Sequence, residues 1–198
     1  MHSLATKLLN YHIILGSASP RRRELLAGLD IDFETQVKDT KEIIDENLPA
    51  ENVPQSIAKQ KFEAFLPELQ VNDFLITADT VVICDNKILG KPKSIENAKE
   101  ILQFLSNKTH SVVTGVHFGT KDKQQSFSCK TQVTFAQLSA SDIDYYIEKY
   151  KPMDKAGSYG VQEWIGYIGI EHIEGSYYNV MGLPVQKLYT EISKFFGE

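Results

Sequence analysis

The sequence predicts a mixed α/β fold, and three observations carry that expectation. An apolar run, His12-Ile13-Ile14-Leu15-Gly16, leads directly into Ser19-Pro20, where Ser suits a helix N-cap and Pro the first helical position. Ile95, Ala98, Ile101, Leu102 and Leu105 recur at helical spacing between Ser94 and Leu105, the apolar stripe of an amphipathic helix. Two β-rich runs, Ser111 to Phe118 and Ser126 to Phe135, flank the polar turn Thr120-Lys121-Asp122-Lys123 and read as a long antiparallel hairpin. Such a hairpin sets the pattern apart from pure βαβ alternation.

The remaining elements follow in order. His12 to Gly16 is a buried strand, and the helix after it runs from the Ser19 cap to Gly28. Phe33 to Val37 is a second strand, and the acidic stretch Asp39 to Glu51 is a loop. Ile57, Lys61, Ala64 and Phe65 place a helix from Val53 to Glu68. Phe74 to Ala78 is a strand ending at Asp79-Thr80, and Val81 to Cys84 continues it in extended form to a turn at Asp85-Asn86-Lys87. Ser139, with Asp142 three residues on, opens a further helix through a variant capping box. Tyr167 to Ile173 reads as a strand and Leu183 to Phe196 as a closing helix with Pro184 in its first turn.

The 198 residues suit a single domain, 1–198, or two lobes sharing one continuous core. A formal charge of -5 argues against a dedicated nucleic-acid binder, which is usually strongly basic. No segment approaches the roughly 18 unbroken apolar residues of a membrane span, and the first 17 residues lack the apolar core of a secretory signal. Cys84 and Cys129 form no metal-knuckle spacing and are expected to be reduced and buried, which suggests a cytoplasmic protein.

Four segments hold residues suited to chemistry. In Ser17-Ala18-Ser19-Pro20-Arg21-Arg22-Arg23 a strand meets a helix N-terminus, where backbone N–H groups and the helix dipole favour phosphates. Arginines there oppose the dipole by ~0.3–1 kcal/mol each, a cost that phosphate pairing offsets; the alternative is a capped helix with a solvated basic face. Asp79-Thr80 ends an apolar strand, a position that suits a metal or water ligand, or else a turn cap. Lys91, before Pro92, projects from extended backbone toward a phosphate or toward solvent. Asp154 to Gln162 contains two glycines, as close approach to a ligand or positive φ angles require. Lys155 is grouped with the substrate-binding residues, and the Gln162 amide, both donor and acceptor, suits a pyrimidine edge. His110, His117 and His172 lack zinc spacing, and GxxxxGK, GxGxxG and GxSxG are all absent. Tyr145, Tyr146 and Trp164 read as packing residues.

Together these segments resemble the Maf proteins, a family of nucleoside triphosphate pyrophosphatases. The resemblance runs through Ser17 to Leu26, Ala58-Lys59-Gln60-Lys61, Ala78-Asp79-Thr80-Val81-Val82, Gly90-Lys91-Pro92, Pro152 to Gln162 and Gly175 to Pro184. It implies an elongated mixed sheet flanked by helices, two lobes and a central cleft, the Maf/ITPase-like arrangement. It further implies hydrolysis between the α and β phosphates with Mg2+ or Mn2+, and a homodimer. On this resemblance Asp79 is the essential acid, and Glu42, beside Lys41, is a second metal carboxylate. Lys61 and Lys91 hold phosphates with Ser17, Ser19 and Arg22, while Arg21, Thr80 and Gln162 set specificity. Arg21, Lys61 and Gln162 together resemble the dTTP/UTP branch; a sister branch acts on 7-methyl-GTP. The family is also linked to inhibition of septum formation, which leaves a nucleotide-binding regulator as a second reading.

Overall fold

The computed structural model describes residues 3–45 and 47–197; Met1, His2 and Glu198, and Glu46 inside the expected acidic loop, lie outside them. The elements in chain order are α1 (Ser3–Leu8), β1 (His12–Gly16), α2 (Pro20–Ala27), β2 (Glu34–Gln36), α3 (Val53–Phe65), β3 (Asp73–Cys84), β4 (Lys87–Leu89), α4 (Ile95–Leu105), β5 (Thr109–Gly119), β6 (Gln124–Phe135), α5 (Ala140–Tyr150), α6 (Trp164–Gly169), β7 (Ile170–Glu174), α7 (Tyr177–Met181) and α8 (Val185–Phe195). Short 3-10 turns at Ala50–Asn52 and Ala156–Ser158 complete them. Among the described residues seven strands form one mixed sheet in the order β2-β1-β3-β5-β6-β7, with β4 paired to β3. The β2-β1-β3 portion is parallel and the β3-β4 and β6-β7 pairs are antiparallel.

The chain divides into two compact units, the first built from 1–79, 114–129 and 182–198, the second from 80–113 and 130–181. In the first, strand alternation sorts the core. Leu75 packs with Ile14, Phe62, Phe65 and Leu69, so this face of β1 and β3 carries α3. Phe74, one residue earlier and therefore on the opposite face, meets Phe118 at 6.0 Å and Phe195 of α8 at 5.6 Å. Leu75, Thr77 and Asp79 share the α3 side: the buried Thr77 hydroxyl donates to Ala58 O at 2.7 Å. Gly115 lets β5 pass under the start of α3, because a Cβ there would lie 2.2 Å from Gln55 N.

In the second unit α4 packs on α5, and Leu102, Leu105, Ile143 and Tyr146 are almost fully buried. Ser94 and Ser139 cap these helices as the sequence expects, Ser139 with Asp142 as a complete capping box. Asp85 and Asn86 both have positive φ, 49° and 61°, the left-handed pair of a tight hairpin turn. Asn179 of α7 donates to Val112 O and Thr131 Oγ1, both at 3.0 Å, pinning α7 to β5 and β6.

Three expectations need correction. Tyr167 to Ile173 is not a strand: Trp164–Gly169 is helical and the strand is Ile170–Glu174. A short apolar run bounded by glycines has no period that separates strand from buried helix, and Gly166 seats the helix against Val161 O, 1.9 Å from where a Cβ would stand. The helix from Val53 ends at Phe65, not Glu68: Leu66 keeps helical φ and ψ of -48° and -41°, but Pro67 has no N–H with which to continue the ladder. The closing helix starts at Val185 with Pro184 at its N-cap, and two short helices, α1 and α7, were not anticipated. Both cysteines are free, Cys84 buried and Cys129 half-buried. No helix among the described residues is long and apolar enough to cross a membrane.

Candidate active site

In the first unit the β1-to-α2 turn is held by its own side chains. Ser19 caps α2 by accepting Arg22 N–H, and the Ser17 hydroxyl oxygen accepts Ser19 N–H at 3.2 Å. Arg22 reaches back, donating from Nη1 to Ser17 Oγ at 3.4 Å and from Nε to Gly182 O at 2.9 Å. Burial pulls the Arg22 guanidinium below its ordinary value, opposed by the negative charges of Asp79 and Glu42. The first turn of α2 has no acidic residue, so Arg21 and Arg22 leave a positive field at the strand end.

Asp79 sits inside β3, which runs unbroken from Asp73 to Cys84 rather than ending at Asp79-Thr80. It meets Lys61, which lies one turn after Ile57 on α3. The Lys61 ammonium stands 2.7 Å from Asp79 Oδ1 and 2.9 Å from Glu42 Oε1, with side chains 21%, 15% and 45% exposed respectively. Without that cation the two carboxylates would repel across a partly desolvated space. Gln60, the preceding α3 residue, clamps the Glu42 loop from both sides. Its Oε1 accepts Ile43 N–H at 2.8 Å and its Nε2 donates to Ile43 O at 2.7 Å. Among the described residues no three His, Cys, Asp or Glu side chains cluster as a metal cage. Two carboxylates held on one cation still suit Mg2+ or Mn2+, which bind through one or two carboxylates completed by phosphates and water.

In the second unit Thr80 is half-buried and Lys91 exposed. Gly157 N–H donates to Gly90 O at 3.2 Å, bringing the Lys91 segment beside the 3-10 turn. Gly157 has φ 70° and packs on Val82, where a Cβ would come within 2.8 Å of Cγ2. Lys155 is 7% exposed, and its ammonium contacts Asp154 at 3.0 Å and Glu163 at 3.2 Å. Gln162 Oε1 and Ser158 Oγ are buried with no hydrogen-bond partner among the described residues. A separate hollow lined by Tyr11, Lys123, Lys194, Phe195 and Phe196 contains none of these residues.

Residues 12–195 match the family model described as Maf-like protein. The chain belongs to the Maf-like family. A relative from Porphyromonas gingivalis (strain ATCC 33277), named dTTP/UTP pyrophosphatase, is 55% identical over 194 residues, covering 96% of this chain and 97% of the relative. Relatives of the same name from Phocaeicola vulgatus and Parabacteroides distasonis are 53% and 52% identical, covering 93% and 95% of this chain and 96% and 98% of their own length. Among solved structures, the Staphylococcus aureus Ham1 protein aligns with a TM-score of 0.55 at 15% identity, covering 92% of this chain and 98% of that one, a likeness of fold.

Of the expected site residues the structure brings Glu42, Lys61 and Asp79 together, with Arg22 nearby, and separately ties Ser17, Ser19 and Arg22. The motif patterns give no task to Gln60 or to Ser158, which lies within Asp154 to Gln162, and they stop short of Glu163, while Tyr146 reads from the sequence as packing. Tyr145 fits that packing description, its ring 4.8 Å from Trp164. Tyr146 is fully buried and hydrogen-bonded to Glu163. A charged residue inside Val161-Gln162-Glu163-Trp164-Ile165 was the one available signal.

Proposed function

We propose that this chain is a nucleotide pyrophosphatase that hydrolyses dTTP and UTP to the monophosphate and pyrophosphate. The observation that carries the geometric side of this reading is the Lys61 ammonium shared by Asp79 and Glu42. The dTTP/UTP preference is supported by the names of relatives at 52–55% identity and by the unpartnered Gln162 oxygen.

Asp79 and Glu42 are the residues that would hold Mg2+ or Mn2+. When bound, the ion supplies charge neutralisation of the triphosphate and acidifies a water. Lys61 orients Asp79 through Oδ1, leaving the second carboxylate oxygen either to position the metal or to accept the proton of the attacking water. The water oxygen bonds to phosphorus as the α–β bridge breaks, and pyrophosphate leaves with the bridging electron pair. Arg21, Lys61 and Lys91 balance the charge that accumulates on the leaving group. Arg22 and Ser17, engaged with each other, keep the β1-to-α2 turn in shape for phosphate with Ser19. Thr80 and Gln162 bias the base toward pyrimidines. A homodimer in the cytoplasm, acting on free nucleotides rather than nucleic acid or membrane, completes the proposal.

Pyrophosphate release from a panel of nucleoside triphosphates, with and without Mg2+ or Mn2+, tests it. The expected result is metal-dependent release strongest with dTTP and UTP. Release strongest with 7-methyl-GTP would reject the base assignment, and triphosphate binding without release would favour a regulator.

A further inference from the structure

The turn that carries Gln162 is tethered by a buried polar chain with no task in the reaction above. Tyr146, fully buried on α5, donates its hydroxyl to Glu163 Oε2 and accepts Gly160 N–H at 3.0 Å. The other Glu163 oxygen meets the Lys155 ammonium at 3.2 Å. Residues 155 and 163, the two ends of the turn, are thus joined to each other, and its middle to α5. Gly160 is fitted to the arrangement, because a Cβ there would stand 2.9 Å from Glu163 Oε2.

Burying an ammonium and a carboxylate costs several kcal/mol per ion, and well-packed apolar residues often serve stability as well. The Lys155–Glu163 pair is therefore poorly explained by stability alone. What it does explain is the state of the residues between its ends. Ser158 Oγ and Gln162 Oε1 are buried with no hydrogen-bond partner among the described residues, a condition a loose turn would relieve by swinging them onto backbone donors. Held in place, the Gln162 oxygen remains available as an acceptor. Thymine and uracil carry an N3–H donor at the matching ring position, where cytosine carries a bare acceptor.

We propose that Glu163, with Tyr146 and Lys155, is a positioning network that aims Gln162 Oε1 at the imide N–H of thymine or uracil. It rests on the nucleotide reading of Gln162 given above. Lys155 then acts through Glu163 and not by touching phosphate.

Two conservative variants test it, Glu163→Gln and Tyr146→Phe, each read by kinetics and by hydrogen exchange at Gly160. Both are expected to lower kcat/KM for dTTP and UTP about tenfold, mainly through KM, while dCTP changes less than about twofold. In a Gln162→Ala background neither should reduce the dTTP-to-dCTP ratio further, since the effects share one path. Exchange at Gly160 should quicken about tenfold in both. Equal losses on every base, or full additivity with Gln162→Ala, would overturn the specificity role. If Glu163→Gln does not fold, Tyr146→Phe carries every arm. A native enzyme that hydrolyses no pyrimidine triphosphate would sink the nucleotide reading, and the aim of Gln162 with it. The exchange arm still judges the tether, which unchanged exchange at Gly160 in both variants would refute.

Discussion

Asp79 is acidic by type and placed by alternation. Because Leu75, Thr77 and Asp79 share one face of β3, its carboxylate must meet whatever α3 presents there, and α3 presents Lys61 at 2.7 Å. Asp79→Asn keeps the shape and removes the charge that accepts a proton. Turnover should fall about 100-fold or more while circular dichroism and the Tm stay close to native; near-normal pyrophosphate release would dismiss Asp79 as the base. At this scale the sequence was informative about residue type and silent about partners. Arg22 and Ser17 were legible because they stand where a strand meets a helix start, and Asp79 because it follows an apolar run, whereas Lys61, inside α3, rested on the family resemblance. Their pairing was not, since Lys61 and Asp79 meet only when a helix packs on a sheet. Lys155 shows the converse: a lysine in a glycine-bearing stretch looks available, and only the fold reveals it buried against Glu163.

An element is positioned by the residues that let it approach its neighbour. Gly115 of β5 admits the first turn of α3, with Gln55 N and Cα 2.2 and 2.3 Å from the place of a Cβ. Gly115→Ala therefore forces α3 away from the sheet, an overpacking cost of about 1–3 kcal/mol and a Tm loss of roughly 3–10 °C. Since α3 carries Lys61, kcat should drop even at temperatures where the variant is fully folded; unchanged kcat and Tm would mean that α3 tolerates the shift. The capped helices and the hairpin at Asp85-Asn86 were legible because caps and positive-φ turns are local chemistry. Trp164–Gly169 was not, because its helical state depends on Gly166 seating against Val161 O.

For the whole molecule, the mixed class was readable from its hairpins, whereas the parallel β2-β1-β3 order was not, because strand neighbours are chosen by long-range pairing. Nor did the sequence reveal that each compact unit is assembled from separate stretches of chain. Buried polar groups scattered through both units give the fold a pH dependence whose sign follows from their partners. His110 lies between Phe135 and Tyr159, its Nε2 2.7 Å from the Tyr159 hydroxyl. Burial pushes it from 6.5 down to about 4. Between those values the unfolded chain binds a proton that the folded chain does not, so stability falls as pH falls, by about 3 kcal/mol in full. Burial also lowers His117, which acts in the same direction. His12 works oppositely: its bond to Asp73, then its contact with Glu34, raise it. Its contribution is complete below 6.5 and lost as pH rises through the raised value. Acid sensitivity should therefore exceed any weakening on the alkaline side. Urea unfolding at pH 7.5 and pH 5 separates these parts. His110→Gln removes one titration, so the stability gap between native and variant should narrow by about 2 kcal/mol on going to pH 5. A gap independent of pH would take the acid limb away from His110 and leave it to His117.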